Sequence, residues 1–150
     1  MLPIKTFLRS CASLLLLALL AGAAHADTSR QDFTAARQVW DAAGIHDYEF
    51  TLAQHCFCPA EEAIRIVVRQ DTVASASYTP SGQALSSDRL RSLPSLNAIF
   101  QKIEEGFARN AARIQLGLNP EYGYPERVFI DYTTMIADEE LIYLIRDFSR

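Results

Sequence analysis

The hydrophobic period of this chain changes at Asp47, and that change dictates most of what the chain can fold into. Before it, Phe33, Ala36, Trp40 and Ala43 recur at the three-and-four spacing of one buried helical stripe over residues 30–43, with Arg37, Gln38 and Asp41 off the stripe. Gly44 stands where a left-handed C-terminal cap is wanted. After it, Tyr48, Phe50 and Leu52 alternate with Glu49, Thr51 and Ala53, the pattern of a half-buried strand. Ile64, Ile66 and Val68 repeat the pattern, Gln70-Asp71 makes a tight connection, and Val73 to Tyr78 supplies a third strand. Connections this short favour an antiparallel meander, because parallel neighbours need a long crossover.

Pro80-Ser81-Gly82 breaks the alternation, and a polar loop is expected to about Ser92. The helical period then returns once, over roughly 94–108, with Leu96, Ile99, Phe100, Ile103 and Phe107 on one stripe and Gln101, Lys102, Glu104 and Glu105 opposite. Pro94 suits the first turn, and Gly106, inside the helix, suggests a close approach to the sheet. Ala112, Ile114, Leu116 and Leu118 alternate again, as do Val128, Ile130 and Tyr132. The last segment, Leu141 to Phe148, is apolar on both parities, and its β-branched and aromatic content favours strand over helix. The expected fold is therefore α+β: an antiparallel sheet of about six strands in the order α-βββ-α-βββ, with helices packed on one face.

Residues 1–26 read as a cleaved signal peptide. Lys5 and Arg9 form the positive region, Leu14 through Leu20 the apolar run, and Ala24-His25-Ala26 the small-x-small cleavage pattern. The apolar stretch is short for a membrane span, which needs roughly 20 residues. Cys11 precedes that stretch and is expected to leave with the leader, so a periplasmic or secreted protein without membrane attachment is expected. Residues 27–150 then form a single domain with one core. Removing Lys5 and Arg9 leaves 12 basic against 18 acidic residues, a net charge near −6. A net negative chain without a basic run argues against nucleic acid and anionic membrane surfaces as partners. An unidentified envelope protein or ligand is left as the expected partner.

Chemistry concentrates at His55-Cys56-Phe57-Cys58-Pro59, the end of the first strand. Export places the Cys56/Cys58 pair in an oxidising compartment, where disulfides form. Positions i and i+2 of an extended strand lie about 6.6–6.8 Å apart, whereas a bridge wants β-carbons at about 3.5–4.5 Å. Pro59 presses Cys58 further toward extended backbone, so a bridge requires a kink and is easily reduced. Three readings stay open: a local disulfide or buried thiols that only pin the strand end, thiol–disulfide exchange with a partner, and a soft-metal site for copper or zinc on Cys56, Cys58 and His55. Tyr122-Gly123-Tyr124-Pro125 is either a binding loop presenting aromatics or a tight strand connection. Asp131, Asp138, Glu139 and Glu140 bracket a loop whose spacing matches no calcium loop. No Ser/His/Asp set, phosphate loop or helical His-Glu zinc pattern is present, so no catalytic residue and no cofactor is assigned. A non-enzymatic binding or structural module is the expectation, with thiol or metal handling as the alternative.

Trp40 followed by Gly44, Asp47-Tyr48-Glu49-Phe50, Cys56-Phe57-Cys58-Pro59, Tyr122-Gly123-Tyr124-Pro125 and Ile130-Asp131 together resemble an uncharacterised bacterial family, domain of unknown function 6174. The resemblance spans nearly all of 27–150 and implies a small secreted or envelope protein of one domain. The chain lacks the cysteine at the cleavage site that lipid-anchored members have. The resemblance brings no catalytic residues with it.

Overall fold

The computed structural model describes residues 24–55, 62–133 and 140–150, with side chains from Arg30 onward and only the backbone of His55. The leader through residue 23, Cys56, Cys58, Pro59, Asp138 and Glu139 lie outside the described residues. In chain order the described elements are α1 (Ala24–Ala43), β1 (Tyr48–His55), β2 (Ile64–Arg69), β3 (Thr72–Tyr78), α2 (Ser87–Leu90), α3 (Leu96–Ala108), β4 (Arg113–Leu118), β5 (Pro125–Asp131) and β6 (Leu141–Ser149).

The strands form one sheet in the order β3-β2-β1-β6-β5-β4, and every pairing is antiparallel. Two meanders, β1-β2-β3 and β4-β5-β6, are thus sewn together by β1 against β6. That places β6 between two partners, so both of its hydrogen-bonding edges are paired, while Tyr143 and Ile145 face the core and Ile142 and Leu144 the opposite side. The α+β reading and the α-βββ-α-βββ order hold, with α2 as an added single turn.

One face of the sheet carries the core. Phe50, Ile66, Val68, Val128 and Ile130 are wholly buried and meet Leu96, Ile99, Phe100 and Ile103 of α3 in one cluster. Ser95 caps α3, its side chain accepting from the Ala98 N–H at 3.3 Å. Pro94 therefore precedes the cap rather than occupying the first turn. Gly106 brings α3 down onto the sheet: a methyl group there would sit 3.3 Å from the side chains of Ile114 and Ile130. At the end of α3, Asn110 adopts φ +53°, the left-handed conformation that Asn tolerates better than most residues.

Helix α1 departs from the sequence reading in three ways. Its backbone is helical from Ala24, ahead of the apolar stripe. Ala43 is exposed, while Arg37 is half-buried on the core side. The Arg37 guanidinium lies 4.7 Å from the Phe100 ring centre and pairs with Asp41, so its aliphatic stem and planar head cover apolar surface that the alternation rules reserve for hydrophobic residues. In the polar loop after β3, the helical turn α2 is held by Ser86, whose hydroxyl accepts from the Arg89 N–H.

Candidate functional site

Cys56 and Cys58, the residues with the richest chemistry in the sequence, lie outside the described residues. Their approach is described: His55 ends β1 and pairs in register with Ile142 of β6. The disulfide, exchange and copper or zinc readings of Cys56, Cys58 and His55 all depend on side chains beyond that limit. Among the described residues, no three His, Cys, Asp or Glu side chains gather closely enough to hold a metal ion.

The Tyr-Gly-Tyr-Pro stretch is fully described, and it clamps α1 to the end of the sheet. Asn119 organises it: its side-chain oxygen accepts from the Glu121 and Tyr122 N–H groups at 3.0 and 2.9 Å, and its backbone carbonyl accepts from Gly123 at 2.9 Å. Gly123 adopts φ +76°, and a β-carbon there would stand 2.1 Å from the carbonyl oxygen of Ala36 in α1. Tyr124 stacks on Phe148 at 4.5 Å and meets Trp40 edge-on at 6.4 Å. Burial raises the Tyr124 phenol above its usual range. Gly123, Tyr124 and Pro125 are buried, while Tyr122 is half-buried with the Arg150 guanidinium 4.9 Å above its ring.

A second polar arrangement has no counterpart in the sequence reading. The Trp40 indole N–H donates to the Asn97 side-chain oxygen at 3.0 Å, and the Asn97 amide donates to Asp71 at 3.0 Å. Asp71 in turn sits 2.7 Å from His46 Nδ1. Asp71 reaches this position because the Gln70-Asp71 hairpin turn holds both residues at positive φ, +49° and +62°. Asp47 and the His46 carbonyl secure that turn by accepting the two backbone N–H groups, at 2.9 and 3.0 Å. Beneath it, Tyr48 accepts from the Leu96 N–H at 3.0 Å, and burial pushes its phenol up to about 12. No hydroxyl or thiol is hydrogen-bonded to His46 among the described residues. The evident work of the His46–Asp71 pair is to tie α1, α3 and the hairpin together.

A third arrangement with chemical character lies on the sheet face opposite the helices. Burial along β2 alternates strictly, placing Arg65, Val67 and Arg69 away from the core. Register then defines rows across that face. Arg65, Thr51 and Arg146 form one row. Ala53, Leu144, Arg127 and Gly117 form the next, and Ile142, Phe129 and Gln115 a third. Arg113 and Asp131 close the set, with the Arg113 guanidinium 5.7 Å from the Phe129 ring centre.

Val67, Ala53, Leu144, Ile142 and Phe129 are only half-buried there, and Thr51 is covered to 6% exposure. Glu49 pairs with Arg65 at 2.8 Å and accepts from Ser149, and these two hydrogen bonds hold its carboxyl below the usual range. Arg127 and Arg146 are exposed and make no ion pair among the described residues. Each arginine is visible in the sequence as a polar residue at an alternating strand position. Their assembly is not, because it requires β6 to lie between β1 and β5.

A family model described as "Family of unknown function (DUF6174)" matches residues 32–150, so the chain belongs to that family. No curated protein and no solved structure matches.

Proposed function

We propose that this member of the DUF6174 family is an exported, non-enzymatic binding module that engages its partner through the open face of its sheet. The observation that carries the reading is the contrast between the two faces. One is filled by α1 and α3, while the other sets half-buried Leu144, Ile142, Phe129, Ala53 and Val67 among arginines, with no helix over them among the described residues. Two-layer domains bury one sheet face; a second face with this much apolar character is suited to a third layer supplied by something else. Export is supported by the leader pattern of residues 1–26, and an envelope location fits a small binding domain of this kind.

The test is complementation of a loss-of-gene phenotype by Phe129→Ser/Leu144→Ser. Both side chains are on the open face, so the variant is expected to fold and accumulate yet fail to complement. Full complementation by a folded variant would sink the proposal. The competing reading, thiol–disulfide exchange or copper or zinc binding at Cys56 and Cys58, draws support from placement: the pair follows directly on His55, at the end of a central strand. Cys56→Ser/Cys58→Ser separates the two. Complementation by that variant favours the binding module, whereas its failure, with the protein folded and abundant, favours the thiol or metal reading.

A further inference from the structure

We infer that the partner of the open face is an acidic polypeptide segment, one that alternates carboxylates with apolar side chains. The inference rests on the binding reading above and names the chemistry of what binds. Its basis is the distribution of charge. The chain is acidic, with 14 basic and 18 acidic residues. At the open-face register positions the balance inverts: Arg65, Arg69, Arg113, Arg127 and Arg146 stand against Glu49 and Asp131.

The arrangement also works against the free protein. Arg127 pairs in register with Leu144, two residues before Arg146, which makes the two arginines diagonal neighbours roughly 7–8 Å apart. Like charges so placed on a sheet repel, and neither is neutralised among the described residues. Arg65 stands on the other side of Thr51 from Arg146, two strand spacings or roughly 10 Å away. Arg127 and Arg146 beside apolar Leu144 are an electrostatic cost that an anionic partner relieves, whereas Arg65, on the far side of covered Thr51, is already paired with Glu49 at 2.8 Å.

The spacing and the apolar filling select the kind of anion. Carboxylates two residues apart on a strand lie about 6.6–6.8 Å apart, and those three or four apart on a helix about 5–6 Å. Either fits arginines separated by an apolar side chain, and Arg receives carboxylate with paired N–H donors. A phosphate polymer would leave Leu144, Ile142 and Phe129 without apolar contact. A bilayer surface calls for protruding apolar side chains. Among the described residues, the one exposed large hydrophobic is Val39, which lies on α1 rather than on this face.

The experiment uses the full chain after export and four probes: a random glutamate/tyrosine copolymer, polyglutamate, inorganic polyphosphate and phosphatidylglycerol vesicles. Titration by fluorescence anisotropy is expected to show saturable binding of the glutamate/tyrosine copolymer, with polyglutamate weaker. Arg127→Glu/Arg146→Glu is expected to weaken that binding at least tenfold, and Arg127→Gln/Arg146→Gln to weaken it less, each with an unchanged near-ultraviolet circular dichroism spectrum. Unchanged affinity in the folded Glu variant overturns the inference. So does tighter binding of polyphosphate or vesicles than of the copolymer, or self-association that occupies the face and is lost in the same variant. Failure of Phe129→Ser/Leu144→Ser to complement, together with full complementation by the Arg→Glu variant, would keep the binding face and discard the acidic partner. Complementation by both variants would discard the binding reading itself.

Discussion

Adding one methyl group at Gly123 is expected to destabilise the domain more than any other glycine-to-alanine change at a loop position. Two effects combine there. Gly123 lies at φ +76°, where an L side chain costs about 1–2 kcal/mol. Its new β-carbon would also meet the Ala36 carbonyl oxygen at 2.1 Å and the Ala36 carbonyl carbon at 2.9 Å. Backbone atoms of a helix cannot swing aside as a side chain can, so α1 must shift against the sheet. Overpacking of this kind adds about 1–3 kcal/mol. The expected loss is then about 2–5 kcal/mol, a large share of the 5–15 kcal/mol typical of a folded domain. At about 4 °C per kcal/mol it lowers the midpoint of thermal unfolding by roughly 8–20 °C.

Trp40, the only tryptophan and 3% exposed, reports the transition by fluorescence in urea or on heating. Gly44→Ala is the internal control. Gly44 has nearly the same backbone conformation, φ +58°, but nothing within 4 Å of its added β-carbon. It should show the left-handed cost alone, about 1–2 kcal/mol. If Gly123→Ala and Gly44→Ala are equally destabilising, the clamp of α1 against the Tyr-Gly-Tyr-Pro turn contributes nothing and the reasoning fails.

Other perturbations follow from the polar contacts. Tyr48 keeps its proton in the folded state up to about pH 12, against about 10 when unfolded, so stability is fully present below pH 10 and falls between 10 and 12 by up to about 1.4 kcal/mol per pH unit. Urea unfolding of Tyr48→Phe at pH 9 and pH 11 should show a shallower loss, with a residual slope from the buried phenols of Tyr124 and Tyr143, also raised by desolvation; an unaltered slope would contradict the assignment. Asn97→Ala removes the acceptor for the Trp40 indole N–H and should cost about 1–3 kcal/mol by the same fluorescence assay. Asp71→Ala should cost less, because Asp71 and its partner His46 are substantially exposed; the reverse order would mean that the hairpin contact, not the indole, anchors the network.

Much of this fold is legible in the chain because local physics decides it. The period-two runs become strands, the Leu96–Phe107 stripe becomes the buried side of α3, and Gly44 and Gln70-Asp71 fall where turns require them. Each of those outcomes depends on residues a few positions apart. The Tyr-Gly-Tyr-Pro turn is half legible: its glycine and proline announce a turn, but only the folded chain puts the Ala36 carbonyl where a β-carbon at Gly123 would stand.

Long-range pairing lies beyond that reach. Nothing between Tyr48 and Ser149 states that β1 will pair with β6, since either meander could join the other at a different edge with the same alternation. Tertiary packing makes that choice, and the surface follows from it. Arg65 and Arg146, 81 positions apart in the sequence, become flankers of Thr51, and Arg127 arrives beside them through β5. The packing of α1 and α3 beside the β2–β3 hairpin likewise brings Trp40, Asn97, Asp71 and His46 into one hydrogen-bonded line. Side-chain period tells each strand which face to bury, but only the strand order decides which charges become neighbours on the other face.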